Sequence, residues 1–351
     1  MIDSGTFYDV ARLHGPGDIR VASEPADTPG TGEVLLQVKA VGLCGSDLHW
    51  YEEASIGDDR LSRPLILGHE FMAVIAAGPR AGERVVADPA NNCCRCNPCL
   101  QGRTNLCLEG RFAGHGTTDG ALRALMPWPE RLLCPIPDSI PDDEAALIEP
   151  LGVALHALDL GLVAPNDRVG VYGCGPIGLL LIQLLHMRGA GTVIATDCLE
   201  HRVSAAMALG ATAAFLEDKQ LVANMSEPRL LAREQPVDVA IEVSGSDEAL
   251  SDAIAAVRPG GRVVIVGIPA GDRTAFEAAA ARRKEIAISL CRRMVPTDLL
   301  RAVRIASSGL VRLSPLISHR YPLERAAEAF ATLVSRSGVK VIINPSDRKV
   351  A

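Results

Sequence analysis

Hydrophobic positions in this 351-residue chain follow two different rhythms. Up to about residue 150 they form short runs bounded by Gly and Pro. Val34-Leu35-Leu36-Gln37-Val38 and Arg84-Val85-Val86-Ala87 read as strands of a β-rich region. A helix is expected to begin near Glu144 and to carry Ala145, Ala146, Leu147 and Ile148. From about residue 165 apolar strands alternate with helical runs. Arg168-Val169-Gly170-Val171-Tyr172 is a buried strand, Leu179 to Met187 a helix, and Thr192-Val193-Ile194-Ala195-Thr196 the next strand, ending at Asp197. A helix over 200–209 closes at Gly210, and strands follow over 237–243 and 261–267. This alternation predicts a parallel sheet with helical crossovers. A last helix near 323–334 and a strand over 339–343 lie beyond that unit and are expected to return to the first region. The segment 89–120 shows neither rhythm and reads as a loop-built lobe.

The length exceeds what one core ordinarily holds, so two domains are expected. The boundaries place residues 1–150 and 291–351 in one and 151–290 in the other. At 48% apolar and 22% charged residues the chain reads as globular. Aromatics make up 3%, the net charge is −7, and no long basic run occurs, which argues against a nucleic-acid partner. Arg282-Arg283-Lys284 is short and followed by Glu285, as at a solvated helix end. No apolar run is long enough to span a bilayer, and Met1 to Gly5 lack the basic and apolar regions of a secretory leader. Ten cysteines in such a chain point to a reducing, cytoplasmic compartment and to metal or catalytic roles.

Two of the cysteine-bearing patterns carry chemistry. Cys93, Cys96, Cys99 and Cys107 offer four thiolates that can close a tetrahedron around one soft ion. Cys94 beside them is either a spare thiol or a substitute for Cys93. Cys134, Cys174, Cys198 and Cys291 read as small core residues. The second pattern joins Cys44-Gly45-Ser46-Asp47-Leu48-His49 to Gly68-His69-Glu70, a mixed donor set that leaves a position open. Gly173-x-Gly175-x-x-Gly178 follows a strand and opens a helix, as a pyrophosphate turn requires, and Asp197 ends the next strand. A carboxylate there accepts from ribose hydroxyls and repels a 2′-phosphate, which favours NAD over NADP.

These motifs together resemble the zinc-dependent medium-chain dehydrogenases, in particular their polyol branch of sorbitol (L-iditol) and L-idonate dehydrogenases. The likeness covers nearly the whole chain and includes Glu149-Pro150-Leu151-Gly152-Val153-Ala154. It implies an α/β fold class, with a GroES-like β-rich catalytic domain and a Rossmann doubly wound sheet binding NAD. It implies two zinc ions per subunit. Cys44, His69 and Glu70 would hold the catalytic one, with Glu149 as a further ligand or as a partner of its water, and the four-cysteine lobe would hold the structural one. Ser46 would receive the substrate proton and pass it by way of the cofactor ribose to His49. Gly173, Gly175, Pro176, Ile177, Gly178, Asp197, Arg202, Val266, Gly267, Ile268 and Arg293 match cofactor-contacting positions. Ser46, Trp50, Phe112, Glu149 and Arg293 would meet the substrate. The remaining histidines, His14, His115, His156, His186, His201 and His319, read as surface or packing residues. A homotetramer or homodimer is implied as well.

Three departures from the family pattern bear on specificity. The segment between Glu70 and Gly82 is shorter than usual, which is expected to trim a hairpin near the site rim. Met294 and Trp50 replace the usual aromatics, and an indole N–H can only donate. The expected activity is reversible, NAD-linked oxidation of a secondary hydroxyl of a sugar alcohol, two carboxylates near the metal suiting a polyol. A vicinal-diol (butanediol-type) or L-threonine 3-dehydrogenase is the alternative, Gly152-Val153-Ala154 tilting against threonine. A zinc- and NAD-binding protein without turnover is the non-enzyme alternative, opposed by the presence of Cys44, Ser46, His49, His69 and Glu70 together.

Overall fold

The computed structural model describes residues 7–217, 235–271 and 273–345, with the backbone of 349–350. The N-terminal residues read above for a leader lie outside the described residues. The chain divides into two compact units, Met1–Gly152 with Val295–Ala351, and Val153–Met294.

The first unit is built on a seven-stranded sheet. Its order is Leu133–Pro135, Arg84–Ala87, Glu70–Ile75, Glu33–Gly42, Lys340–Asn344 and Ile317–Pro322, with Leu125–Pro129 also pairing with Glu33–Gly42. The C-terminal strand Lys340–Asn344 therefore does return to the first unit, where Ile342 lies opposite Gly42. Leu36, Val38, Phe71, Ile75, Met126, Phe330 and Ile343 belong to one buried cluster under this sheet. Register positions the mixed donor set. Glu70 pairs with Gly42, two residues before Cys44, so the end of one strand and the start of its neighbour present Cys44, His69 and Glu70 together. Gly42 is needed there, because a Cβ on it would fall 2.4 Å from Glu70 Oε2.

The shortened connection after Glu70 departs from expectation in its place. Strand Glu70–Ile75 starts at the donor set and runs away from it, so the turn over 76–83 lies about 17 Å along the strand at the ladder's rise per residue. There Arg80 pairs with Glu83 and Glu130. The trimmed turn does not border the donor set. The helix expected near Glu144 is split into Asp142–Ala145 and Ile148–Leu160. Pro150 falls in the first turn of the second piece, where its missing N–H leaves no intrahelical bond unmade.

The second unit is a six-stranded parallel sheet in the order Ala213–Leu216, Thr192–Asp197, Arg168–Tyr172, Val237–Glu242, Val257–Ile265 and Ala287–Leu290. The order reverses between Arg168–Tyr172 and Val237–Glu242, which makes a Rossmann switch point with a crevice at the strand C-termini. Tyr172, Leu250, Ile254, Val257 and Val263 pack one face. Helix Ala278–Lys284 ends on the basic triplet, and Lys284 Nζ donates to the carbonyls of Ile254, Ala255 and Val257 at the end of helix Asp247–Ala256. Among the described residues no helix is long and apolar enough to cross a membrane.

Candidate functional site

Helix Gly45–Glu53 begins one residue after Cys44, and its first turn organises the donor set. Asp47, fully buried, accepts from Cys44 N–H at 2.9 Å and from Gly68 N–H at 3.3 Å, and its Oδ1 lies 3.6 Å from His69 Nδ1. One carboxylate thus holds both chain segments and turns His69 Nε2 away from itself. Cys44, His69 and Glu70 present donor atoms all within 4.8 Å of one another. Lys340, 1% exposed, donates from Nζ to Glu70 Oε2 at 2.5 Å and to Leu43 O at 2.9 Å. That bond occupies one carboxylate oxygen and leaves the other for a further partner. Burial alone would lower the Lys340 pKa, but Glu70 and Cys44 outweigh it and raise it.

Glu149 is buried near the N-terminus of helix Ile148–Leu160. Burial pushes its carboxyl up to about 8; Glu70 and Asp88 add to that, while His69 and Lys340 oppose it. It stands outside the 4.8 Å set, which gives it a place beside the converging donors rather than among them. A carboxyl with so high a proton affinity can switch between donor and acceptor near neutral pH.

The donor set fits zinc: one thiolate, one imidazole and one carboxylate are common zinc ligands, and three protein ligands leave a fourth position open. Burial by itself would depress the His69 imidazole, yet Asp47 and the Cys44 thiolate raise its proton affinity well above the usual histidine value. A metal needs the neutral imidazole, so protons compete for Nε2 from a higher pH than at an ordinary histidine. The zinc affinity of this site is therefore expected to fall as the pH is lowered, read by competitive chelator titration at a series of pH values, and an affinity that does not change with pH would contradict this picture.

Ser46 Oγ lies 3.5 Å from His69 Nε2 in a buried position. His49, three residues on along the same helical face, is partly exposed and meets Glu53 Oε1 at 3.3 Å. The two hydroxyl and imidazole groups thus run from the donor set outward. Trp50 differs from expectation. It is wholly buried, its indole N–H has no hydrogen-bond partner, and its ring packs edge-on against His115. It backs the wall of the site rather than forming its surface. Phe112, 8% exposed on strand Arg111–Phe112, packs against both His69 and His115.

The four-cysteine lobe closes on itself. Cys93, Cys96, Cys99 and Cys107 converge within 4.8 Å. Backbone N–H groups of Leu108 and Cys99 aimed at Cys96 hold its thiol down to about 6, whereas burial and neighbouring thiols push Cys99 up to about 12. The donors again fit zinc, now with no open position. Cys94 adopts a left-handed backbone (φ 57) and turns its thiol onto Asn92 Oδ1 at 3.0 Å, outside the set. Of the four cysteines expected in the core, Cys134 and Cys174 are buried, Cys291 is half-buried, and Cys198 is exposed. Cys198 follows the strand-ending Asp197, at the sheet's open C-terminal edge.

In the second unit the glycine turn leads from strand Arg168–Tyr172 into helix Pro176–Arg188, which Gly175 caps. Gly173 has φ 108, and a Cβ on Gly178 would sit 2.0 Å from Gly173 O. A Cβ on Gly175 would meet nothing closer than Arg202 Nη1 at 3.7 Å, so this backbone is open to a phosphate while the turn beneath it is tight. Pro176 and Ile177 form the helix's first turn. Asp197 accepts from Cys174 N–H at 2.7 Å and Leu199 N–H at 2.9 Å, which fixes the carboxylate at the end of its strand. Val266 N–H donates to Glu242 O, Gly267 packs backbone to backbone on Gly245, and Ile268 is exposed beyond them. All of these residues gather at the C-terminal strand ends, where a dinucleotide fits. Gly178→Ala is expected to displace the turn and weaken NAD binding at least tenfold by titration calorimetry. Arg293 lies after the edge strand Ala287–Leu290 with φ 56, and Met294 beside it is buried.

Lys340 and His115 were not anticipated. A lysine at the head of the apolar strand over 339–343 was the available signal for Lys340, since a charge inside a central strand needs a partner. For His115 no local spacing signal existed. Its half-buried ring lies 5.6 Å from the His69 ring, 4.8 Å from Phe112 and 5.8 Å from Trp50, centroid to centroid. His115 is thus a packing residue, as expected, and what was not foreseen is that it packs on His69 itself.

Comparison with known proteins gives the family. The zinc-binding dehydrogenase family matches residues 176–308, and the alcohol dehydrogenase GroES-like domain matches residues 30–138. A sorbitol dehydrogenase of Bacillus subtilis is 34% identical over 344 residues, covering 96% of this chain and 97% of that protein. A probable D-xylulose reductase A of Aspergillus terreus is 35% identical over 320 residues, 89% of this chain and 90% of that one. The crystal structure of L-idonate 5-dehydrogenase from Escherichia coli superposes with a TM-score of 0.88 at 25% identity, covering 96% and 98% of the two chains. With an open three-donor site and a closed four-thiolate site in a GroES-like unit, and a dinucleotide turn in a Rossmann unit, the chain belongs to the zinc-binding dehydrogenases and is an NAD-dependent member of that family.

Proposed function

We infer that the protein oxidises a secondary hydroxyl of a sugar alcohol to the ketose, reversibly, with NAD as hydride acceptor. The observation that carries this reading is the convergence of Cys44, His69 and Glu70 with Glu149 buried beside them. Two carboxyl groups at a metal centre offer acceptors for the hydroxyls that flank a reacting carbinol. The names of the relatives, sorbitol dehydrogenase and D-xylulose reductase among them, support the same substrate class.

When bound, zinc supplies Lewis acidity that lowers the pKa of a substrate hydroxyl, and NAD supplies the hydride acceptor. The chain's own residues do the rest. Asp47, whose Oδ1 lies 3.6 Å from His69 Nδ1, favours by its charge a ring that turns Nδ1 towards it, and Lys340 fixes Glu70. Ser46, beside His69 Nε2, receives the hydroxyl proton, and His49 at the partly exposed end of the same face delivers it to solvent. Glu149 accepts from, or donates to, oxygens near the reacting carbon. Arg202 and Asp197 hold the adenosine side of the cofactor, and Arg293 its other end.

The enzyme works as a homotetramer or homodimer in the cytoplasm. The edge strand Ala287–Leu290, with Leu290 74% exposed, supports sheet-edge pairing between subunits, and the convergence of Cys93, Cys96, Cys99 and Cys107 as metal donors supports a reducing compartment. The test is a screen of C4 to C6 polyols with NAD and NADP as alternative acceptors. Reduction of NAD by one or more polyols is expected, with NADP at least tenfold poorer. Activity confined to threonine, or to monohydric alcohols, would overturn the reading.

A further inference from the structure

We propose that Glu242 sets the balance between the two oxidation states of the cofactor, its buried carboxylate favouring NAD⁺ over NADH. The inference concerns the NAD site alone and holds whichever alcohol the protein oxidises.

Glu242 is the last residue of strand Val237–Glu242, and register fixes its place. Tyr172, which leads into the glycine turn, pairs with Thr196 on one side and with Glu242 on the other. The turn is therefore flanked by two acidic residues, Asp197 just beyond Thr196 and Glu242 on the opposite side. A dinucleotide laid across such a switch point puts one nucleotide on each side of the turn. With the adenosine ribose at Asp197, the nicotinamide half falls on the side of Glu242 and of Val266, Gly267 and Ile268.

The carboxylate is held firmly at that end of the sheet. Glu242 Oε1 accepts from Ser244 N–H and from the Ser244 hydroxyl, both at 2.6 Å, and from Gly245 N–H at 2.8 Å. The side chain thus points past the strand end into the turn that follows. Oε2 lies on the side of Gly267, where a Cβ would fall 2.8 Å from it. Gly245, at φ 76, and Gly267 pack backbone to backbone beside it, since a Cβ on Gly267 would also fall 2.1 Å from Gly245 N. Glu242 is 1% exposed and forms no ion pair among the described residues. A buried charge ordinarily has a partner of opposite sign. The oxidised nicotinamide is a pyridinium cation, and the reduced ring is neutral. Only the oxidised ring offers that opposite charge. It does so through space, across buried protein where salt and water screen little, and no contact with Glu242 is needed.

The experiment titrates NAD⁺ and NADH separately into zinc-loaded wild type, E242Q and S244A by calorimetry. E242Q keeps an oxygen to accept from Ser244 and Gly245 and loses the charge; S244A removes one donor and keeps the charge. In E242Q the Kd for NAD⁺ is expected to rise about tenfold and that for NADH less than about threefold. In S244A both constants change by the same factor, because the turn is loosened without altering the charge. If E242Q does not fold, E242D, which draws the charge back by one methylene, is measured instead, and the ratio of the two constants is expected to move the same way by about twofold. Equal weakening of both cofactor forms in the charge variant, a greater loss for NADH, or an unchanged ratio would overturn the proposal. A wild type that binds neither form would overturn the NAD assignment itself, and the proposal with it.

Discussion

Replacing Lys340 by Met is expected to destabilise the first unit by about 3–5 kcal/mol, the usual cost of removing one partner from a buried ion pair. Lys340 and Glu70 are 1–2% exposed, and Nζ reaches Glu70 Oε2 at 2.5 Å and Leu43 O at 2.9 Å. Methionine fills much of the same volume, so the loss is electrostatic rather than a cavity. It leaves a buried carboxylate and a buried carbonyl without their donor. Thermal unfolding of the zinc-free protein reads the effect without contribution from the metal. Adding Glu70→Gln to Lys340→Met should recover part of the stability, because the uncompensated charge is then gone. A pair of variants that simply add would contradict the coupling.

The second large effect concerns Asp47. Changing it to Ala strands Cys44 N–H and Gly68 N–H in a buried setting and frees the His69 ring to rotate. Each stranded donor costs about 1–3 kcal/mol. Loss of a carboxylate that orients a ligating histidine typically weakens metal binding about 10- to 100-fold. Competitive chelator titration should therefore show one weakened zinc per chain, while the zinc of the Cys93–Cys107 lobe keeps its affinity. Weakening of both sites to the same extent would mean that Asp47 acts through general stability alone.

How far the chain's order of residues announces this architecture depends on the range of the interactions involved. The strand over 168–172, the turn at Gly173–Gly178 and the strand ending at Asp197 are local patterns, set by apolar runs and glycine conformation, and they are found where expected. The four-cysteine lobe is likewise local, since all its donors fall within 15 residues. The open site is different. Cys44 and Glu70 meet because their strands pair in one register, and Lys340 arrives from 270 positions away through the return of the C-terminal strand. No spacing encodes that, although a lysine in an apolar strand hinted at a buried partner. His115 was hidden for the same reason, its approach to His69 depending on backbone bonds from 120–122 to 66–68. The location of the shortened turn was misjudged because a strand's direction relative to the site is a tertiary property. Trp50 occupies the expected position, but a neighbour on another loop covers it.

The central claim is that the Cys44, His69 and Glu70 site holds the metal on which oxidation depends. Its most direct test is Cys44→Ala, with zinc content and NADH formation from a polyol measured on the same sample. One zinc per chain should remain, in the four-cysteine lobe, and turnover should fall by about 1000-fold or more, corresponding to roughly 4 kcal/mol of lost transition-state stabilisation. A variant that has lost one zinc and still turns over at the wild-type rate would contradict the account.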